Sequence, residues 1–330
     1  MSNSSNTSTD DSIDFYPDIA FSYSFRFWLF LISNILSILC CFFVLYHLLF
    51  DRILRQSLNN HVVIILLFIC LLYELLDVPC ILNFFRYDFN WKFSVSFSVF
   101  WSFLDYALYG TQFIVFSWGT IERHILIFHD RWLLNRKRRF FIHYLPLIIL
   151  ILYSSIYYCI IIFAPFCPYI FYRLPAYGVP FPCIYYYVNI IAIWELVCHQ
   201  IIPIFIIIIF SLSLLIRVLW QKSRLHGSIQ WKKQRKMTIQ LLSVSILYIT
   251  FSAPGVFLNI SYEFGVPRAV GIEFMSYAYF FSYYIVFLFP FVCLGTLPEL
   301  KKKLEKFFCY QRQRRRIVPN NLFRIRIIRN

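Results

Sequence analysis

Glu74, Asp77, Asp105 and Glu195 are carboxylates set inside strongly apolar stretches of this sequence. An ionised carboxylate at the centre of an apolar helix costs about 2.5–3.5 kcal/mol on insertion scales, so each needs a cation, a proton or a function. The need is sharpest at Asp105, which has no lysine or arginine close by in its own stretch. A cation from outside would satisfy it. So would a hydroxyl such as that of Tyr283 together with water, or a proton held by burial. Glu195 and His199 stand four residues apart, on one face of a helix, and precede Pro203 by eight and four residues. At the far end of the Asp105 stretch, Glu122, Arg123 and His124 are consecutive. An arginine at the mouth of an apolar helix requires an anion or a carbonyl, and Glu122 is the nearest. The alternative is an anchor that snorkels to lipid headgroups.

Enzymatic chemistry is poorly supplied. His47 and His199 lie on different stretches, and no His-x-x-x-His or Cys-x-x-Cys pair occurs, so a metal hydrolase lacks its ligands. Neither a glycine-rich phosphate loop nor a Gly-x-Ser-x-Gly elbow is present. Every lysine is at a loop or an edge, which excludes a retinal Schiff base. The expectation is a non-enzyme that uses no cofactor and no metal.

The elements that position these residues follow from composition. Of 330 residues, 60% are hydrophobic and 14% charged, against about 45–50% and about 25% in soluble domains. Seven stretches reach the roughly 20 apolar residues needed to cross a bilayer: 27–50, 58–83, 94–127, 141–164, 184–216, 237–261 and 270–297. Unpaired sheet edges are not tolerated in lipid, so the expected fold is an all-α bundle of seven transmembrane helices. Pro79, Pro203, Pro254 and Pro290 mark expected kinks. Residues 1–26 form a terminal tail, 27–297 the bundle, and 298–330 a basic tail with a short amphipathic helix.

Lys and Arg are retained on the cytoplasmic side. One side collects Arg52, Arg55, Arg131, the run Arg136 to Arg139, Arg217, Lys222, Arg224, the Lys232 to Lys236 cluster and the C-terminal tail. The other keeps Arg26, Arg86, Lys92, Arg173 and Arg268, beside Asp10, Asp11, Asp14 and Asp18. The N-terminus is expected outside and the C-terminus inside, in a multi-pass protein of the plasma membrane. The same rule accounts for the net charge of +15. The basic tail therefore faces the anionic inner leaflet of the lipid bilayer rather than nucleic acid. Outside, Asn3 and Asn6 open glycosylation sequons; Asn259 opens another that sits near a span end. Cys167 and Cys183 share the loop between the fourth and fifth spans and are expected to pair, with Cys80 as the rival partner. Cys309, after Phe307 and Phe308 in a lysine-rich stretch, is a palmitoylation candidate.

Several spaced markers between about residues 28 and 309 resemble the rhodopsin-like G-protein-coupled receptors. Ser33-Asn34 is similar to the family's Gly-Asn, Trp91-Lys92-Phe93 to its Trp-x-Phe, and Glu122-Arg123-His124 to its Asp/Glu-Arg-Tyr. Pro203, Pro254 and Pro290 stand one each in the last three spans. The chain departs from the family at Ser98, where a disulfide cysteine is usual, and at Ile69-Cys70, where a buried acid is usual. It departs again at Tyr248 to Pro254, which lacks the toggle tryptophan, and at Phe289-Pro290-Phe291-Val292-Cys293, in place of Asn-Pro-x-x-Tyr. The resemblance implies a divergent receptor that couples to a heterotrimeric G protein, with Glu122, Arg123 and His124 at the switch. It also implies a ligand pocket containing Asp105, Tyr109, Glu195, His199 and Tyr283, because amine receptors and some peptide receptors place an aspartate and a tyrosine at the matching positions. The ligand implied is a cationic small-molecule amine or a basic peptide. The competing reading is a transporter or ion channel that uses the span carboxylates, although the sequence shows no repeated halves.

Overall fold

A backbone in hydrocarbon must satisfy its own hydrogen bonds, and long apolar runs therefore become helices. The computed structural model describes residues 17–87, 94–128, 135–164, 172–173, 176–224, 229–267 and 269–297, with 300 and 303. Its principal helices, in chain order, are α1 (Tyr23–Phe50), α2 (Asn60–Tyr87), α3 (Val95–Phe128) and α4 (Arg136–Phe163), followed by α5 (Asn189–Arg217), α6 (Ile229–Glu263), α7 (Ile272–Ser282) and α8 (Tyr284–Thr296). Five are long and apolar enough to cross a membrane: α1, α2, α4, α5 and the Thr238–Glu263 part of α6. The pair α7 and α8, bent by 43° around Tyr283, makes a sixth if taken as one span. The chain is thus a multi-pass, all-α membrane protein. The remaining long helix, α3, has 34 residues but is less apolar than the others. Its position explains why. It packs against α2, α4 and α5, and its buried side chains include Ser98, Ser102, Asp105, Thr111, Gln112, Ser117 and Thr120.

The exterior is apolar and the interior partly polar, the reverse of a water-soluble bundle. Trp28, Ile32, Leu39, Phe42 and Tyr46 stand exposed along one face of α1, while Asn34 and Ser37 of the same helix are buried. That pattern suits a helix with lipid outside and hydrogen-bonding neighbours inside. Besides α3 at the centre, α1 packs on α2 and α8, α5 on α6, and α6 on α7 and α8, which closes the bundle.

Three turns of π-helix interrupt the long helices, at Tyr73–Asp77, Phe140–Tyr144 and Glu195–Ile201. Each ends two residues before a proline: Pro79, Pro146 or Pro203. Proline lacks an N–H and its ring crowds the carbonyl four residues earlier, so widening the preceding turn relieves the clash. The widened turns also rotate polar residues inward. Tyr73, Glu74 and Asp77, then His143, then Glu195 and His199 are the buried members of these turns, whereas Leu75 and Leu76 point out. Pro254 and Pro290 lie inside helices. The expected fifth span, 184–216, is divided at Val188: Ile184–Tyr187 is a separate turn.

The chain between α4 and α5 enters the bundle at the end where α1 begins, termed the Tyr23 end. Tyr172–Arg173 pairs antiparallel with Pro180–Phe181, and Ala176, Tyr177, Val179 and Pro180 are buried. Ser102 of α3 donates to the Pro180 carbonyl at 2.9 Å. Gly178, with φ of 81°, lies against the Phe84 ring, where a Cβ would sit 2.2 Å from a ring carbon. From α1, the fully buried Arg26 donates to the carbonyls of Ile19 and Phe21 at 2.7 Å and Ala176 at 3.5 Å, and pairs with Asp18 at 2.8 Å. Ser98 leaves this loop without a disulfide to α3; the Ser102 hydroxyl, one turn further on, makes a link instead.

Candidate functional site

A cavity of about 330 Å³ opens among α2, α3, α5, α6, α7 and the buried loop. Asp105, Tyr109, Glu195 and Tyr283, which the receptor resemblance groups together, are among its lining residues. His199 is not among its lining residues. It stands behind Glu195, buried, as that carboxylate's partner.

Asp105 lies ten residues into α3, about 15 Å along the axis from its start. The π turn of α2 delivers the Tyr73 hydroxyl to Asp105 Oδ1, and the break between α7 and α8 delivers Tyr283, which donates to the same oxygen at 2.7 Å. Asp105 Oδ2 accepts no hydrogen bond from the described residues, yet it is not sealed from the cavity. One oxygen is therefore fixed by two tyrosines and the other is presented. No lysine, arginine or histidine occurs among the described lining residues.

Glu195 is oriented from outside the cavity. Tyr158 of α4 donates to Oε1 at 2.8 Å, and His199 Nδ1 lies 2.7 Å from Oε2. His199 Nε2 is 2.9 Å from the Tyr153 hydroxyl, which accepts from Trp194 Nε1 at 3.1 Å. Every one of these contacts is satisfied with a neutral His199: Trp194 donates to Tyr153, Tyr153 to Nε2, and Nδ1 to Glu195. With Nδ1 donating to Glu195, Nε2 can either accept from Tyr153 or donate to it, and in both forms His199 is the basic neighbour of the carboxylate.

Nine of the nineteen lining residues are tyrosines, so hydroxyls and ring faces dominate the wall. Ring faces attract cations, and the charged residues among the described lining residues are Asp105, Glu195 and Glu263. Asn259, the third sequon, also lines the cavity.

Two further buried acids lie outside it. Ser37 donates to Glu74 Oε1, and Asn34 donates to the Glu74 backbone carbonyl at 3.3 Å. Trp101 donates to Asp77 Oδ1 at 2.8 Å. Glu74 Oε2 and Asp77 Oδ2 are buried without a hydrogen-bond partner among the described residues.

At the opposite, Phe50 end, Glu122 bonds to His143 of α4, and its other oxygen has no hydrogen-bond partner among the described residues. The adjacent Arg123 is itself buried. His143 Nε2 is 2.9 Å from His61 Nδ1, and His61 Nε2 is 3.0 Å from the Arg55 carbonyl. With Glu122 and the Arg55 carbonyl accepting, all three contacts are filled when either His143 or His61 donates from both nitrogens. His124 packs edge-on against Phe210 of α5 at 5.7 Å. Sequence reasoning did not find this tie between α2, α3 and α4. The available signal was His143 standing three residues before Pro146.

Cys183 is disulfide-bonded and Cys80 is a free thiol. Cys167, Cys309, Asn3 and Asn6 lie outside the described residues. No protein-family model matches the chain, and no curated protein matches it.

Proposed function

We propose that the chain is a divergent receptor of the rhodopsin-like, G-protein-coupled kind. In this reading α3 and the α7–α8 pair complete seven spans, the Tyr23 end faces outside the plasma membrane, and the Phe50 end faces the cytoplasm. The observation that carries the reading is Asp105. A buried carboxylate with one oxygen tied by two tyrosines and the other presented to a base-free aromatic cavity is built to receive a cation. The ligand is accordingly a cationic amine or a basic peptide. Binding at Asp105 engages α2 and α7–α8 through Tyr73 and Tyr283, so it can bias how those helices sit against α3. The tie of Glu122 to His143 and the buried Arg123 supply, at the other end, contacts that can differ between two arrangements.

Glu74 and Asp77 favour a second reading, an ion-coupled transporter or channel, because each holds a buried oxygen without a described partner. The two readings differ in what flows. The receptor reading predicts that ligand applied to the Tyr23 face accelerates nucleotide exchange on a heterotrimeric G protein and evokes no current coupled to its own uptake. Uptake or current without nucleotide exchange would replace it with the transporter.

A further inference from the structure

The cavity carries two separately built anionic poles, and they constrain the ligand more than one carboxylate does. Asp105 presents Oδ2 from α3. Glu195 lines the cavity from α5, with Tyr158 donating to one of its oxygens and His199 against the other. Both carboxylates are over nine-tenths buried. A ligand with one cation, seated on Asp105, would leave Glu195 on the wall with His199 behind it as its one basic neighbour among the described residues, whereas a second cation on the ligand would meet it. The wall continuing from Asp105 is aromatic: Tyr106 packs on Tyr185 at 5.7 Å and on Phe181 at 6.4 Å. That surface suits a methylene chain, and its rings suit ammonium groups.

Size narrows the class further. Pockets for small ligands run from about 300 to about 1,000 Å³, and this one, at about 330 Å³, is at the small end. The buried loop supplies one wall: Tyr177 packs against Tyr283 at 5.2 Å, and its loop is pinned by Ser102 and Arg26. A peptide with its backbone is large for a cavity of this volume.

We propose that the ligand is a small dication, a linear diamine or polyamine, with one ammonium on Asp105 and the other on Glu195. This rests on the receptor reading above and specifies its ligand. The test is a binding series on the full-length protein in lipid nanodiscs, with α,ω-diaminoalkanes from 1,4-diaminobutane to 1,10-diaminodecane set against n-alkylamines of equal length. Diamines of one optimal length should bind at least about tenfold more tightly than the matched monoamine, the value of one charge-assisted contact. Glu195→Gln should erase that advantage, so that diamines and matched monoamines bind alike, and Asp105→Asn should weaken both. Glu195→Asp keeps the charge on a shorter stem, so it should keep the advantage and move the optimum to a longer diamine. Equal affinity for diamines and monoamines on the wild type overturns the two-pole proposal by itself, without any variant, and leaves the single-cation receptor intact if Asp105→Asn still weakens monoamines. Absence of binding by either series overturns both.

Discussion

Gly110 of α3 is the position where the smallest change should do the most damage. A Cβ placed there would sit 1.9 Å from the Tyr158 hydroxyl oxygen, 2.7 Å from Cζ and 2.9 Å from Cε2. Tyr158 is fully buried, so it has no open space to retreat into. Relieving the clash needs a shift of more than about 1 Å to reach ordinary contact, and such a shift breaks the 2.8 Å bond to Glu195 and the 3.2 Å contact with His199. Overpacking costs about 1–3 kcal/mol, and a lost hydrogen bond to a charged group about 1.5–3 kcal/mol. Gly110→Ala should therefore destabilise the protein by about 3–5 kcal/mol, less whatever the helix gains from alanine, about 1 kcal/mol. The assay is thermal unfolding of the purified protein in nanodiscs, run as a cycle with Tyr158→Phe. Removing the hydroxyl deletes the worst contact, so the double variant should be less destabilised than the sum of the singles by at least about 1 kcal/mol. A Gly110→Ala protein that melts with the wild type, or strict additivity in the cycle, would refute the packing of α3 on α4 described above.

Three other outcomes are expected. Arg123→Ala should abolish or distort signalling while leaving surface expression mostly intact; normal signalling per receptor with lost expression would mark Arg123 as a membrane anchor. Mass mapping of non-reduced peptides should recover Cys167 joined to Cys183, closing a loop worth about 3 kcal/mol in the chain-entropy model, and both thiols free would contradict it. An epitope tag before Asp10 should be reachable on intact cells and one after Arg316 only after permeabilisation, and the opposite labelling would reverse the orientation.

Hydropathy exposed the spans that face lipid, because a lipid-facing helix must be apolar on most of its circumference. It was weakest for α3, whose neighbours rather than lipid surround it; the polar residues that lower its apolarity are the ones that build the site. Asp105 and Tyr283 were legible as a pair through the receptor resemblance, which puts an aspartate and a tyrosine at the matching positions. Tyr73 was not. It reaches Asp105 from a π turn, and a widened turn shifts every side chain beyond it around the helix axis, which regular periodicity cannot anticipate. His199 shows the same limit. Its spacing placed it on the face of Glu195, but whether it lines the cavity or backs the carboxylate depends on Tyr153 and Tyr158 of α4, a contact no local pattern encodes. The bond between Glu122 and His143 is likewise a matter of which helix lies beside α3. Prolines carried the useful signal, since all three π turns end two residues before one.

The central claim is that Asp105 receives the ligand's positive charge. Its most direct measurement is G-protein nucleotide exchange driven by a panel of amines, diamines and basic peptides on wild type and on Asp105→Asn, which removes the charge and keeps the shape. The account predicts a cationic activator whose potency falls at least about tenfold in the variant, with surface expression retained. Activation by an acidic or neutral ligand, at a potency that Asp105→Asn leaves unchanged, would contradict it.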